Sequence, residues 1–385
     1  MPSFEFSAAT RIVFGAGAIA ALPGIARQLG DRALVVRGRR PDAVDRVLPA
    51  LAGAGVASVQ LVAAGEPALE DVRDGVRQAR AEACRLVIAV GGGSVIDTGK
   101  AIAVLVENPG DPLEYLEVVG EGHPLARPGL PLVAVPTTAG SGAEVTRNAV
   151  LASRDARVKA SLRSPWMAPR VALVDPELTY LLPPALTAST GLDALAQLVE
   201  PYLSRRATAM TDMFCREGIP RIARALPLAC REGRNVAARE DMAFASLLGG
   251  LSLAHAGLGA VHGLAGPIGG RFPAPHGAVC AALLPHVLMA DIRALRLADP
   301  EGPALGRCAH VARWLTGREG ASAEEAVDWL LQLDAELQVP TLGVFGVTPD
   351  DIGPLVEQAC RSSSIQSNPV VLSSVELGKA LRDAL

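Results

Sequence analysis

The chain has 385 residues, half of them hydrophobic, and a net charge of −4. Because this length exceeds the usual size of one hydrophobic core, the sequence predicts two domains. The acidic balance, the lack of clustered basic tracts and an aromatic content of 3% argue against nucleic acid as the main partner.

The cysteines and the N-terminus favour a cytoplasmic protein. Six cysteines are scattered without a C-x-x-C pair, which predicts reduced, buried thiols rather than a disulfide scaffold. The start, MPSFEFSAATRIVFG, lacks a basic region followed by an apolar run, so no secretory signal is predicted. No residue between Asp241 and Arg271 is charged, but this Ala- and Gly-rich stretch with two histidines fits a buried helix better than a membrane span.

The first glycine-rich stretch is FGAGAIAAL, residues 14–22, which superficially matches the G-x-G-x-x-A fingerprint of dinucleotide-binding folds. No firm strand is predicted before it at the right distance, and no acidic residue ends the strand that follows. We therefore interpret it as a turn and the start of a helix.

Short apolar strands then alternate with amphipathic helices. This alternation predicts an α/β domain with a parallel, Rossmann-like sheet and helices on both faces. The predicted strands are 32–38, 56–64, 85–93 and 130–142, and the predicted helices are 41–55 and 68–84.

The segment VIAVGGGSVIDTGKAIAV, residues 87–104, runs from an apolar strand through three glycines and a serine into a helix. Glycines let the backbone approach a ligand closely, and a helix N-terminus offers unpaired N–H groups to a phosphate. A nucleotide phosphate is favoured over an ordinary tight turn. The residues concerned are Gly91, Gly92, Gly93 and Ser94.

A second polar loop, AVPTTAGSGAEVT, follows the predicted strand at 130–142 and offers Thr137, Thr138 and Ser141 as small donors. It is a generic Ser/Thr loop or the other wall of the same cleft. The chain has only three lysines; Lys100 lies in the helix of the glycine motif, and Lys159 lies just before the predicted domain junction. Where arginine is so strongly favoured, a lysine suggests a need for a compact charge.

The pattern changes after residues 170–184, and from about residue 185 the apolar periodicity is helical. This shift predicts an α/β domain over 1–177 and an all-α domain over 178–385. The segment TASTGLDALAQLVEPYLS, residues 187–204, is predicted to be a capped helix with Asp193 and Gln197 on one face.

Two of the six histidines, His262 and His276, lie in AVHGLAGPIGGRFPAPHGAV. Taken alone they are either metal ligands or polar residues of a tightly packed core. A carboxylate on an apolar helix face, such as that of Asp193, is costly to bury unless it is paired or bound to a metal.

Six ordered motifs between residues 87 and 287 resemble those of the iron-containing (group III) alcohol dehydrogenase family. They are G-G-G-S-x-x-D, P-T-T-A-G-S-G-x-E-V, G-L-D-A-L, A-V-H-G-L-A, P-H-G and L-L-P-H-V. The segments RIVFGAGA and Asn368-Pro369 extend the resemblance over nearly the whole chain. It implies a dehydroquinate synthase-like architecture, an NAD(P) cofactor, a divalent metal and a small alcohol or aldehyde substrate.

The resemblance also implies site residues. Asp193, His262 and His276 match catalytic metal ligands, and Gln197 stands where the family has a fourth ligand, a histidine. Imidazole and carboxylate ligands suit Fe²⁺ or Zn²⁺. The dinucleotide is assigned to Gly91, Gly92, Gly93, Ser94, Asp97, Thr137, Thr138, Ser141 and Lys159.

Two departures from the family pattern weaken the metal and proton chemistry. Gln197 is a neutral and weaker ligand than histidine, so a loosely held or absent metal is an open alternative. Gly266 replaces a family histidine that handles protons near the nicotinamide, which opens space for a different substrate. His255, seven residues before His262, is placed on the same helix face as a minor candidate, while His286 is assigned a structural role and His123 and His310 are assigned to the surface.

Cofactor choice depends on the position after the first strand of the nucleotide domain, where NAD-preferring members carry an aspartate. Gly38 occupies this position, flanked by Arg37, Arg39 and Arg40, which predicts that NADP(H) is accepted because arginine pairs well with phosphate. The choice between NAD and NADP stays open.

The expected activity is reversible hydride transfer between NAD(P) and an alcohol–carbonyl pair. The alternatives are a metal-free enzyme resembling maleylacetate reductases, a lyase resembling dehydroquinate synthases, and a nucleotide-binding protein with little turnover. The resemblance suggests a homodimer or a higher homo-oligomer and no membrane. The physiological substrate cannot be inferred from the sequence.

Overall fold

The structure is a computed structural model that describes residues 3–8, 10–40, 42–63, 65–117, 120–153 and 158–385. The chain divides into two compact units, each described below by itself. The sheet unit comprises Ser7–Thr138 and Gly142–Tyr180, and the helical unit comprises Met1–Phe6, Ala139–Ser141 and Leu181–Leu385.

The sheet unit is built on a six-stranded parallel sheet with the strand order β1-β8-β5-β4-β2-β3. Its four inner strands are short apolar runs, and this explains why they are buried on both faces. The strands are β1 Arg11–Phe14, β2 Arg32–Arg37, β3 Ala57–Val62, β4 Leu86–Gly91, β5 Leu132–Pro136 and β8 Val171–Val174, with a separate antiparallel pair of β6 Asn148–Ser153 and β7 Val158–Arg163.

Helices cover both faces of this sheet, as predicted. Alternate residues of one strand enter different cores: Leu34 and Val36 pack with α3 and α4 residues, whereas Ala33 and Val35 pack with α1 and α2 residues. The helices are α1 Leu22–Leu29, α2 Val44–Gly53, α3 Leu69–Ala81 and α4 Gly93–Leu105. The predicted α/β domain with a parallel sheet is confirmed.

Residues 181–385, all of them described, contain helices and no strand, which confirms the all-helical C-terminal part. The helices are α5 Pro184–Leu203, α6 Ala209–Arg231, α7 Val236–Ala256, α8 Ala260–Arg271, α9 His276–Ala298, α10 Pro303–Thr316, α11 Ala323–Leu337, α12 Ile352–Cys360 and α13 Ser374–Asp383. The prediction of a capped helix at 187–204 is wrong at its start, because α5 begins at Pro184 without a side-chain cap. Proline suits the first helical position, since its missing N–H would be unpaired there anyway.

The uncharged stretch before Arg271 is not one helix. α7 and α8 meet at a bend of 99°, and Gly257 at the break has a φ of +72° that favours glycine. Placing His255 and His262 on one helix face is therefore wrong, because the bend separates them. Within the described residues, α9 is the helix long and apolar enough to cross a membrane, and 78% of its most apolar window is buried inside the protein.

Five of the six cysteines, among them Cys280 and Cys308, are buried free thiols. Cys360, the last residue of α12, is exposed, so the prediction of buried thiols is wrong at this position. It ends a surface helix rather than facing a core.

Candidate functional site

The glycine-rich stretch forms the junction between β4 and α4 in the sheet unit. Gly92 is the residue before the helix and is extended, with φ −74° and ψ −175°, and no side chain caps the helix among the described residues. The Gly92 carbonyl accepts from the amides of Val95 and Ile96, at 3.0 and 3.1 Å, which leaves the first helical N–H groups pointing outward. A Cβ at Gly91 would lie 2.5 Å from a Val95 methyl, so only glycine fits there.

The ends of two neighbouring strands border this junction. The Thr137 amide, just after β5, donates to the Gly91 carbonyl at 3.0 Å, and a Cβ at Gly92 would stand 3.4 Å from the Thr138 side chain. Gly38, just after β2, lies beside the junction, since a Cβ there would be 3.7 Å from Val95. The carboxyl ends of adjacent parallel strands are the usual ligand position in open α/β sheets. Ser141 is grouped with the helical unit.

Asp97, which was predicted to bind the dinucleotide, and its neighbour Lys100 contact protein groups. The Lys100 side chain is fully buried and donates to Thr146 Oγ1 at 2.7 Å and to the Asn148 carbonyl at 2.9 Å. Burial lowers the pKa of Lys100, although Asp97 at 3.4 Å opposes this effect. Asp97 also accepts from the Val150 amide at 3.0 Å. Lys100 and Asp97 therefore join α4 to the β6 segment.

Lys159 in β7 forms an ion pair with Glu66 at 3.1 Å, and its side chain is 7% exposed. Arg37 donates to Gln60 at 2.9 Å, whereas Arg39 is exposed. Arg40 pairs with Asp42 at 3.1 Å. Of the three arginines near Gly38, Arg37 and Arg40 thus already have partners on the protein surface.

The turn after β1, in contrast to the β4–α4 junction, has its backbone amides already bonded to a protein carboxylate. A strand does precede FGAG, so the expectation that none does is wrong. The Asp175 carboxylate, from the end of β8, accepts from the amides of Gly17 at 3.1 Å and Ile19 at 3.0 Å. Because the protein's own carboxylate occupies these donors, they are not available to a phosphate, in agreement with the interpretation of this stretch as a turn.

Four side chains of the helical unit, all of types that can bind a metal ion, meet at one point. Their ligand atoms, on Asp193 of α5, His262 of α8, and His276 and Cys280 of α9, all lie within 4.8 Å of one another. Asp193 Oδ1 is 3.3 Å from His262 Nε2 and 3.9 Å from His276 Nε2, and Cys280 Sγ is 3.6 Å from His276 Nε2. The structure thus brings together three side chains that the sequence analysis singled out and one that it did not.

The close approach of α9 to α5 depends on Gly277. A Cβ at this residue would lie 2.6 Å from the Ser189 carbonyl oxygen and 3.4 Å from the Asp193 Cβ. A larger residue would push the start of α9 away from α5. His276, the first residue of α9, would then move away from Asp193.

Glu200 orients His262 and was missed by the sequence analysis. Its Oε2 lies 2.5 Å from His262 Nδ1, and its Oε1 accepts from the Val261 amide at 2.8 Å. The Glu200 carboxylate favours a proton on Nδ1 and turns Nε2 towards Asp193. Glu200 follows Asp193 by seven residues, two helical turns along the same face, and this spacing is the signal that could have revealed it.

A further polar layer supports the start of α8. Asn368 Oδ1 accepts from the Ala260 amide at 3.0 Å, and its Nδ2 donates to Asp291 Oδ1 at 2.6 Å. Burial raises the pKa of Asp291 to about 8, against the opposing hydrogen bond from Asn368. The Asn368-Pro369 segment of the family resemblance therefore holds the helix that carries His262.

The four side chains of Asp193, His262, His276 and Cys280, called the Asp193 cluster below, favour positive charge. Burial would raise the pKa of Asp193, but the neighbouring imidazoles of His262 and His276 lower it overall. Burial opposes charge on His262, yet Cys280 and Glu200 raise its pKa well above the usual range. The Coulomb interaction with Cys280, against the effect of burial, raises the pKa of His276 to about 9. A proton or a metal cation is stabilised at this point.

Buried polar atoms without partners test whether a metal fits. Among the described residues, Asp193 Oδ1, Gln197 Oε1 and His262 Nε2 are buried and form no hydrogen bond. Each such atom costs about 1–3 kcal/mol when left unsatisfied, and a cluster of them indicates an ion that the protein is built to hold. A hydrogen bond from Gln197 contributes to the low pKa of Asp193, so the amide is next to that carboxylate.

The remaining predicted positions lie as follows. Gly266 is one turn after His262, and a Cβ there would meet no described atom within 4 Å, so the space is open. His255 stacks on Phe6, with ring centroids 4.0 Å apart. His286 of α9 is half-buried, which lowers its pKa. His310 lies on the exposed side of α10 and contacts Tyr202 Oη at 2.8 Å, and His123 is exposed.

Comparison with known proteins gives the family. Residues 9–176 match the family model "iron-containing alcohol dehydrogenase", and residues 187–385 match its "Fe-containing alcohol dehydrogenase family, C-terminal" counterpart. A 1,3-propanediol dehydrogenase of Klebsiella pneumoniae is 36% identical over 96% of both chains. An NAD-dependent methanol dehydrogenase of Bacillus methanolicus is 33% identical over 83% of this chain and 82% of its own.

Solved structures agree with this result. A 1,3-propanediol oxidoreductase superposes with a TM-score of 0.91 at 35% identity, covering all of both chains. A sulfoacetaldehyde reductase from Bifidobacterium kashiwanohense, solved with NAD⁺, gives a TM-score of 0.87 at 27% identity over 100% of this chain and 99% of its own. The chain belongs to the iron-containing alcohol dehydrogenase family.

Proposed function

We propose that this protein transfers a hydride reversibly between NAD(P) and a small alcohol or its aldehyde or ketone, assisted by a divalent metal. It is an NAD(P)-dependent alcohol dehydrogenase by family membership. The observation that carries the residue assignments is the convergence of Asp193, His262 and His276 on one point. We assign the α/β domain, 1–177, to the dinucleotide and the helical domain, 178–385, to metal and substrate.

For the dinucleotide, we assign the pyrophosphate to Gly91, Gly92, Gly93 and Ser94, because uncapped N–H groups and the helix dipole favour anions. Gly38, Asp97, Thr137, Thr138, Ser141 and Lys159 complete the assignment. Since Asp97 and Lys159 already pair with protein groups, their contribution is to fix the loops around the cofactor. Arg39 is the exposed guanidinium near Gly38 that supports acceptance of NADP(H).

For the metal, we assign Asp193, His262 and His276 as ligands and Gln197 as a weak fourth ligand. When bound, Fe²⁺ or Zn²⁺ would polarise the substrate oxygen as a Lewis acid, while the nicotinamide carries the hydride. The three atoms left without partners, Asp193 Oδ1, Gln197 Oε1 and His262 Nε2, support this assignment.

The protein's own residues then perform three tasks. Glu200 keeps the His262 proton on Nδ1, so that Nε2 offers its lone pair. Asn368 and Glu200 fix the start of α8 through its amides, which sets the position of His262. The burial of Asp193 and His262, 4% and 8% exposed, keeps water away from these two ligands.

The metal-free alternative, resembling maleylacetate reductases, rests on Gln197 and Gly266. A screen of NAD(H) and NADP(H) turnover over a panel of alcohols and aldehydes, with and without added metal, separates the two functions. The wild type and Gln197→His are compared. We expect the added histidine to raise both metal content and activity. Turnover that is insensitive to a chelator in both proteins would support the metal-free enzyme instead.

The names of the relatives guide the choice of substrates. They include dehydrogenases of 1,3-propanediol, methanol and choline, which suggests small primary alcohols. The open space at Gly266 favours substrates bulkier than ethanol. We also propose a cytoplasmic location and a homodimer or higher oligomer.

A further inference from the structure

We propose that Cys280 Sγ is a metal ligand, taking the place of the histidine that Gln197 replaces, and that the site therefore prefers Zn²⁺ to Fe²⁺. The inference rests on the metal site of the proposed function and extends it with a residue to which neither the sequence nor the family resemblance assigned a role. Cys280 lies one turn after His276 on α9 and is fully buried.

Two of the six distances between the four ligand atoms match those of one tetrahedral ion. Zinc bonds of about 2.0–2.1 Å to nitrogen or oxygen and about 2.3 Å to sulfur place neighbouring ligand atoms about 3.3 Å apart for N and O and about 3.6 Å apart for N and S. Asp193 Oδ1 and His262 Nε2 are 3.3 Å apart, and His276 Nε2 and Cys280 Sγ are 3.6 Å apart. A third distance, between Asp193 Oδ1 and His276 Nε2, is 3.9 Å, about 0.6 Å longer than this ideal, and the remaining ones are at most 4.8 Å.

Buried polar atoms without hydrogen-bond partners also indicate that the Asp193 cluster holds a ligand. Asp193 Oδ1 and His262 Nε2 have no hydrogen-bond partner among the described residues, although both side chains are more than nine-tenths buried. Each is only a few ångströms from the other and from the α9 ligands. Unpaired buried atoms of this kind are rare in native proteins and point to an ion.

Charge favours the thiolate over the Gln197 amide. With Asp193 and Cys280 as anionic ligands, the two negative charges neutralise a divalent cation. With Asp193 and Gln197, a net positive charge would remain in a buried site, which is unfavourable. Thiolate is also the softer ligand and selects zinc, whereas carboxylate and amide oxygens suit harder ions.

The decisive measurement uses the full-length wild-type protein loaded with Zn²⁺ and studied by X-ray absorption at the zinc edge. We expect one sulfur neighbour at about 2.3 Å besides nitrogen and oxygen at about 2.0–2.1 Å. A shell of nitrogen and oxygen alone, or a protein that binds no zinc, would overturn the inference. This readout needs no variant, so it does not depend on whether a mutant folds.

Variants then locate the sulfur. Cobalt-loaded wild type should show the near-ultraviolet sulfur-to-cobalt charge-transfer band, which Cys280→Ser should lose. Cys308→Ser, at another fully buried cysteine of the helical unit, should keep it. Zinc affinity should fall about a hundredfold or more in Cys280→Ser, because a ligand is lost outright. A band that survives in Cys280→Ser refutes the assignment.

These outcomes are separate from the proposed function. Turnover with zinc bound only by nitrogen and oxygen overturns the Cys280 assignment and leaves the dehydrogenase intact. A sulfur neighbour without turnover of any alcohol or aldehyde in any metal form overturns the dehydrogenase and leaves the Cys280 assignment intact.

Discussion

The β4–α4 junction and the Asp193 cluster stabilise opposite charges by different means. At the junction, the backbone acts: glycines and uncapped helical amides favour an anion. At the cluster, side chains from α5, α8 and α9 favour a cation, and a layer of buried polar groups holds them. A local backbone motif is enough to favour an anion at the junction, whereas the cluster depends on long-range packing. The four experiments below test that difference.

The largest effect is expected from removing the negative charge of Asp193. Asp193→Asn should lose the metal and reduce kcat/KM by roughly 10³-fold or more, since Lewis-acid assistance is worth several kcal/mol. Metal content and steady-state rates measure the effect. The control is Asp328→Asn, at an exposed aspartate of α11. Activity that persists in Asp193→Asn would mean that the cluster does not serve the reaction.

The buried layer beneath the cluster makes a second prediction, about pH. Burial raises the pKa of Asp291 from its ordinary 3.8 to about 8. A raised pKa stabilises the fold fully below about pH 4, and this contribution is lost as the pH rises to about 8. Relative to Asp291→Asn, the wild type should lose on the order of a few kcal/mol of unfolding free energy over that range. Denaturant unfolding at pH 5 and pH 9 measures this, and parallel pH profiles would contradict it.

The orientation of His262 gives a third, smaller effect. Glu200→Gln keeps one acceptor oxygen in place of two, to be shared by His262 Nδ1 and the Val261 amide, and removes the charge that polarises the ring. Partners of this kind are worth about 10–100-fold in metal affinity, so zinc binding should weaken by that factor. Competition titration with a chromophoric chelator measures it. Glu357→Gln, at an exposed surface ion pair, should change nothing.

The smallest effect is expected at the backbone site. In Gly92→Ala, the added Cβ would lie 3.4 Å from Thr138 and hinder close approach of a phosphate, although the φ of −74° suits alanine. Dinucleotide affinity should fall about tenfold, equivalent to about 1.4 kcal/mol, without loss of metal. Fluorescence titration measures it, and Gly53→Ala, where a Cβ meets no described atom, is the matched control. Equal affinity in both variants would place the pyrophosphate elsewhere.

Features that depend on a few neighbouring residues were predicted correctly. Features that depend on the path of the whole chain were predicted only in part. The apolar run of β4 followed by three glycines identified a strand–helix junction, because strand, turn and helix preferences act over a few residues. The same reasoning placed His255 and His262 on one helix. Periodicity does not show the break at Gly257, where a φ of +72° lets the chain turn by 99°.

The sequence by itself determined the parallel sheet, the helical second half and the family, because hydrophobic periodicity and ordered motifs are properties of the chain read locally. Only the tertiary structure decided that Asp175 fills the first glycine turn, that Glu200 orients His262, and that Cys280 lies beside Asp193, His262 and His276. These contacts join residues far apart along the chain or on different helices. The packing of helix on helix and strand on strand sets their distances, and no spacing in the sequence encodes that packing directly.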